Sequence, residues 1–113
     1  YKIYWGRDVP ESWSGARVVK TRVGNGKKAG TISFVIDLAG PSVKDARDLP
    51  TAELSSSAGQ ISNVSVQRNP EISGVRVSFN LAPGDNELVE LRCVLKAGEQ
   101  PISETWLYRW TKP

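Results

Sequence analysis

The stretch from Ser103 to Trp110, S-E-T-W-L-Y-R-W, constrains the fold more than any other part of the chain. Side chains alternate between the two faces of a strand, so Trp106, Tyr108 and Trp110 fall on one side and Thr105, Leu107 and Arg109 on the other. Aromatic residues favour a pleated surface, and three rings on one face are a large apolar load that another layer must cover. Just upstream, Leu88 to Leu95 supplies a matching strand. Here Val89, Leu91, Cys93 and Leu95 alternate with Glu90, Arg92 and the less polar Val94. Gly98 and Pro101 lie between the two strands and predict a hairpin with a long loop.

The same alternation recurs along the chain. Tyr1 to Trp5 reads as a short strand, followed by a loop from Gly6 to Gly15. Ala16 to Val23 is a strand in which Val18 and Val19 face opposite ways. Gly24 to Gly30 is a turn, with Asn25-Gly26 as its residues tolerant of positive φ. Thr31 to Leu38 follows, with Ile32, Phe34, Ile36 and Leu38 on one face and Ser33 and Asp37 on the other. Ala39 to Pro50 is irregular, with room for one helical turn over Val43 to Asp48. Thr51 to Ser57 is a weak, Ser-rich strand. Gln60 to Arg68 is better, with Val64 and Val66 aligned, and Asn69-Pro70 breaks it. Ser73 to Leu81 is strong: Val75, Val77, Phe79 and Leu81 point inward, and Arg76, Ser78 and Asn80 outward. No segment keeps a helical period over three turns.

Strands separated by Gly and Pro turns predict an all-β fold, an immunoglobulin-like antiparallel β-sandwich of seven or eight strands in which each sheet buries one face. The chain, residues 1–113, is expected to be a single such domain. It should bury roughly 65% of its unfolded surface, enough for one core without staples. Leu81-Ala82-Pro83-Gly84 resembles the crossing between sheets in fibronectin type III domains. Those usually carry a Tyr where this chain has Glu87, so a tyrosine corner is not expected and a plain hairpin is the alternative.

Several function classes are excluded or left without support. The chain has no His, which removes a Ser-His-Asp triad and a His-ligated metal. Cys93 is alone, so no internal disulfide can form; it reads as a small core residue. Gly24, Gly26 and Gly30 precede a strand rather than a helix, so they are a hairpin turn and not a phosphate loop. Asn63-Val64-Ser65 matches a glycosylation sequon inside a strand and carries no weight. Twelve acids are present, yet nothing in the sequence makes a pair converge as glycoside hydrolysis requires. No catalytic residue, cofactor or metal ligand is therefore expected. The net charge of +3 is too small to imply nucleic acid, and no apolar run approaches a membrane span. The charge is lopsided, with Lys2, Arg7, Arg17, Lys20, Arg22, Lys27 and Lys28 ahead of Ala29 against Asp8 and Glu11; a solvated sheet face plus a charged turn accounts for it, with a face that attracts anionic partners as the alternative.

The informative side chains are the rings at the two ends: Tyr1, Tyr4 and Trp5, and Trp106, Tyr108 and Trp110. Core packing or docking on a further domain accounts for them, with stacking on sugar rings as the alternative. The absence of Met and the strand-like start at Tyr1 lead to the expectation of a fragment of a longer protein.

The whole chain resembles the C-terminal domain of the periplasmic glucan biosynthesis protein family (MdoG/OpgG and the paralogue OpgD). The residues that carry the resemblance are Y-K-I-Y-W from Tyr1, A-R-V-V-K-T-R-V-G from Ala16, F-V-I-D-L-A-G from Phe34, V-R-V-S-F-N-L from Val75 and, most specifically, S-E-T-W-L-Y-R-W from Ser103. The resemblance implies a periplasmic protein of Gram-negative bacteria serving the synthesis of osmoregulated periplasmic glucans with a β-1,2-linked backbone. It implies that a large N-terminal β-sandwich domain, absent from this sequence, carries the glucan-cleaving or transglycosylating carboxylates. The present chain would then be a non-catalytic accessory domain that packs on that N-terminal domain. The alternative is a carbohydrate-binding module touching glucan through Tyr1, Tyr4, Trp5, Trp106, Tyr108 and Trp110.

Overall fold

A computed structural model of the chain describes residues 15–44 and 48–113. The strand expected over Tyr1 to Trp5 lies outside the described residues. The elements run β1 (Arg17–Asn25), β2 (Ile32–Ala39), the four-residue helix α1 (Pro41–Lys44), β3 (Thr51–Ser56), β4 (Gln60–Asn69), a 3-10 turn (Pro70–Ile72), β5 (Gly74–Ala82), β6 (Leu88–Ala97), β7 (Gln100–Pro101) and β8 (Trp106–Thr111).

Two antiparallel sheets result. The first has the order β1-β2-β5-β4. In the second, β6 is central: Arg92 faces Ser55 of β3 on one edge and Leu107 of β8 on the other. The short β7 pairs with the end of β6, through Lys96 and Pro101. This is the four-plus-three strand order of a constant-type immunoglobulin domain, with β7 added. The expected hairpin between β6 and β8 is present. Pro83 and Gly84 carry the chain from β5 in the first sheet to β6 in the second, so the connection is a crossing and not a hairpin. Gly84 turns there at φ 64°, and Asn86 donates its backbone N–H and its side-chain amide to the Pro83 carbonyl.

The first sheet follows the alternation closely. Phe34, Ile36 and Leu38 of β2 and Val75, Val77, Phe79 and Leu81 of β5 are all buried, and they pair across the strands as Phe34 with Phe79, Ile36 with Val77 and Leu38 with Val75. Each residue facing its apolar partner across the strands is the unit by which a sheet is stabilised. Val89, Leu91, Cys93 and Leu95 of β6 close the core from the other sheet.

Three local details depart from the simple alternation. β4 carries a bulge between Ser62 and Ser65, with Asn63 at φ 54°. The extra residue puts Ile61 and Val66 on the same inner face and turns Val64 out to 48% exposure, so Val64 and Val66 are not aligned. The positive φ of the β1–β2 turn lies at Gly30 (φ 81°), not at Asn25-Gly26. Gly26 is required for a different reason: a Cβ there would run into the Thr31 side chain. Val94, on the outer face of β6, is buried. Glu53 sits opposite it and reaches both flanking cations, Arg92 at 3.8 Å and Lys96 at 2.9 Å.

The start of the described chain ties the two sheets together. Ala16 forms a parallel bridge with Ser103, donating to Ile102 O at 2.8 Å and accepting from Glu104 N at 2.8 Å. The Glu104 carboxylate then accepts the Val18 N–H at 2.7 Å, after which β1 joins the first sheet. The segments that lead into β1 and β8 are therefore neighbours, although the two strands belong to different sheets.

Candidate functional site

The rings of β8 point inward as the alternation requires. Trp106 is buried, Tyr108 and Trp110 are half-buried, and Leu107 and Arg109 are exposed. Phe34 and Phe79 stack with centroids 5.0 Å apart and planes 6° apart. Trp106 meets both of them edge-on, each at 6.1 Å, and Tyr108 meets Phe34 edge-on at 5.3 Å. Trp106 and Tyr108 stack on each other at 5.6 Å. Offset and edge-to-face pairs of this kind match the positive rims of rings to the negative faces of others. The indole Nε1–H of Trp106 donates to Thr21 Oγ1 of β1 at 3.1 Å, so its one polar atom is satisfied across the sandwich. In this structure Trp106 is given over to packing. Tyr108 and Trp110 pack against the same core and retain accessible surface. Tyr1, Tyr4 and Trp5 lie outside the described residues.

Among the described residues the acids do not converge into a reaction centre. Asp37 is the one buried carboxylate among the described residues, on the outer face of β2. Arg76 donates to it through Nε at 2.9 Å and Nη2 at 3.4 Å, and Asn69 through Nδ2 at 3.3 Å. Burial alone would raise its pKa, but the Arg76 bonds and charge, helped by Asn69 and Arg22, outweigh burial and hold the carboxyl below its ordinary value. Asp37 therefore stays ionised and cannot serve as a proton donor near neutral pH. Of the acids in the two long loops, Asp48 is exposed, and Asp8, Glu11 and Asp45 lie outside the described residues. No cluster of three metal-ligating side chains occurs among the described residues. Cys93 is buried on β6, and burial pushes its thiol up to about 11, so it is inert as a nucleophile.

Sequence reasoning missed a groove on the outer face of the first sheet, of about 490 Å³. Ser33 of β2 and Ser78 and Asn80 of β5 face outward there as the alternation predicts. Lys27 and Lys28 in the β1–β2 turn wall one side, and Asn63, turned out by the bulge of β4, walls the other. The residue types were visible in the sequence; their convergence depends on the bulge and on strand register.

Residues 1–110 match the family described as "Periplasmic glucan biosynthesis protein, MdoG". The chain belongs to this family. Among its relatives, "Glucans biosynthesis protein G" of Rhodopseudomonas palustris is 41% identical over 98% of this chain and 22% of its own length. The protein of the same name from Shewanella frigidimarina is 40% identical over 98% of the chain and 20% of its own length. "Glucans biosynthesis protein D 1" of Ralstonia nicotianae is 37% identical over all of the chain and 23% of its own length. The chain thus spans about a fifth of the length of the curated relatives it matches. No helix among the described residues is long and apolar enough to cross a membrane.

Proposed function

We propose that the chain is a non-catalytic accessory domain of a larger periplasmic protein of glucan biosynthesis. In this reading it packs on a separate, glucan-active domain of the same protein and completes that protein's architecture. The observation that carries the reading is how the interior is used. Phe34, Phe79, Trp106 and Tyr108 fill the space between the sheets, and the one buried acid among the described residues, Asp37, is ion-paired with Arg76. Cleavage of a glycosidic bond needs a proton donor and a second carboxylate about 5–10 Å apart across a cleft. Among the described residues, neither the donor nor the cleft has a place in this packing.

The most exposed large apolar side chain among the described residues, Leu107, lies on the outer face of the second sheet, which we take as the surface offered to the rest of the protein. Leu107 is 71% exposed there, with Arg92 directly opposite it and Arg109 two residues further along β8, and Leu88 is exposed at the far end of β6. An apolar centre inside a charged rim suits an interdomain contact. Two measurements test the reading. The 113-residue chain incubated with β-1,2-glucan should give no products. The full-length protein carrying Leu107→Asp should lose thermal stability that the isolated chain with the same change does not lose. Turnover by the chain alone, or equal effects of the substitution in both contexts, would sink the accessory role.

A second reading has the half-exposed rings of Tyr108 and Trp110 touching glucan directly, together with Tyr1, Tyr4 and Trp5, as flat rings can stack on sugars. Titration of tryptophan fluorescence with β-1,2-gluco-oligosaccharides separates the two. A saturable change lost in Trp110→Ala supports direct binding.

A further inference from the structure

The outer groove of the first sheet has the chemistry of a ligand site. Its side chains are three amides (Asn25, Asn63 and Asn80), two hydroxyls (Ser33 and Ser78) and two ammonium groups (Lys27 and Lys28), and Phe79 lines it while packing its ring into the core. Among the described residues no carboxylate lines it. The nearest acid on the floor strand, Asp37, is four residues along β2, about 13 Å away at the strand rise, and it is already paired with Arg76. Among the described residues, none of these seven polar side chains makes a hydrogen bond or ion pair with another protein group. Amides and hydroxyls both donate and accept, which matches the hydroxyls of a polyol; ammonium groups only donate, which matches an anion.

The groove is also built rather than incidental. Short residues on the two central strands make the floor, since Ser33 pairs with Asn80 and Val35 with Ser78. The bulge raises one wall, at the residue type that best tolerates φ 54°. The turn that carries the two lysines is pinned by Gly26 N–H to Thr31 O at 2.9 Å and by the Thr31 hydroxyl on the Lys28 carbonyl. Its volume of about 490 Å³ lies in the range of small-molecule sites and suits one or two sugar rings.

We propose that this groove binds an anionic, polyhydroxylated small ligand, a sugar carrying a phosphoryl or carboxyl group. Lys27 and Lys28 take the anion, and Ser33, Ser78, Asn80 and Asn63 take the hydroxyls. Among the described residues the groove has no stacking ring, so binding is weak and falls with ionic strength, as expected where exposed charges dominate. The accessory role proposed above needs no ligand on this chain and survives failure here.

The test is a titration of isotope-labelled chain, followed by amide chemical shifts, with glucose 6-phosphate, inorganic phosphate, a neutral β-1,2-gluco-oligosaccharide and a glutamate tetrapeptide. Glucose 6-phosphate should shift amides of residues 25–33, 63 and 78–80 saturably. Loss of the charged contacts in the double variant Lys27→Ala, Lys28→Ala should weaken it about tenfold. Asn80→Ala should weaken glucose 6-phosphate but not phosphate, and an unchanged thermal midpoint in each variant shows the fold is intact. Equal affinity for phosphate and glucose 6-phosphate would mean an adventitious ion only. Equal binding of the tetrapeptide would mean an unspecific cationic patch, and no shift at these residues would mean no site. Any of these three results overturns the proposal. Shifts centred on Tyr108 and Trp110 with the neutral sugar, and none in the groove, overturn it in favour of the aromatic end.

Discussion

Replacing Phe79 by Ala should remove the centre of the interior stack. Phe79 is 1% exposed, lies face to face with Phe34 at 5.0 Å and receives the edge of Trp106 at 6.1 Å. Its partners come from both sheets, so no single strand can shift to close the gap. Truncation of a buried Phe costs about 3–5 kcal/mol in lost transfer energy and cavity formation. The ring pairs add about 0.5–1.5 kcal/mol that is not independent of that figure, so about 4 kcal/mol is the working value. A domain of this length holds only about 5–15 kcal/mol in total. The loss should lower the thermal midpoint by about 15 °C, at about 4 °C per kcal/mol. Urea unfolding followed by tryptophan fluorescence measures it, with Leu107→Ala as the control. Leu107 is 71% exposed and its truncation should stay within about 0.5 kcal/mol. A Phe79→Ala effect under about 1 kcal/mol, or equal effects of the two substitutions, would refute the assignment of the strand faces.

Gly74→Ala should destabilise by about 1–3 kcal/mol, because the added Cβ meets the Leu38 carbonyl and the Ala39 Cα of the neighbouring strand; a neutral result in urea unfolding would contradict that close approach. Cys93 should resist thiol reagents at pH 8 until the protein unfolds. Its folded pKa of about 11 lies above the ordinary 9.0, so the unfolded state loses its proton first and stability should decline between those values as pH rises, a decline that Cys93→Ala removes. Asp37 shifts the other way. Its folded pKa lies below the ordinary 3.8, so its contribution is present above that value and is lost as pH falls through the lower folded value; acid unfolding of Asp37→Asn should lack that component.

What could be read from the sequence was the part governed by a period of two. Phe34, Ile36, Val77, Phe79, Leu91 and Cys93 were expected in the core from alternation alone, and all are buried. The direction of the β8 rings followed from the same rule. What could not be read depends on which strand lies beside which. Nothing local to Asp37 says that Arg76 will sit directly across from it, which follows only from the register of β2 and β5. Val94 broke the alternation in the sequence, and it is buried opposite Glu53 of β3, which reaches Arg92 and Lys96 on either side of it, a neighbourhood set by strand register. The bulge at Asn63 adds one residue to β4, and with it the pattern Val64–Val66 misleads while the wall of the groove appears. A lone Asn in a strand-like segment is the weak signal that could have pointed to it.

The lone cysteine bears on how the two sheets are held. In antibody domains a disulfide joins the two strands that correspond here to β2 and β6, and a buried Trp packs against it. Cys93 occupies β6, but the inward residues of β2 are Phe34, Ile36 and Leu38. The strand that carries the antibody Trp corresponds to β3, which offers Ala52 and Leu54. The tryptophan comes instead from β8, and Trp106 reaches across both Phe rings to Thr21 on β1. Aromatic area and one hydrogen bond thus do between β8 and the first sheet what a covalent link does in the antibody fold. A covalent clamp tolerates a vacancy beside it, whereas a stack does not, because each ring is held by the others. This accounts for Trp106 and Tyr108 at alternate positions of β8. A substrate cleft opened between the sheets would have to unstack the rings that hold them together.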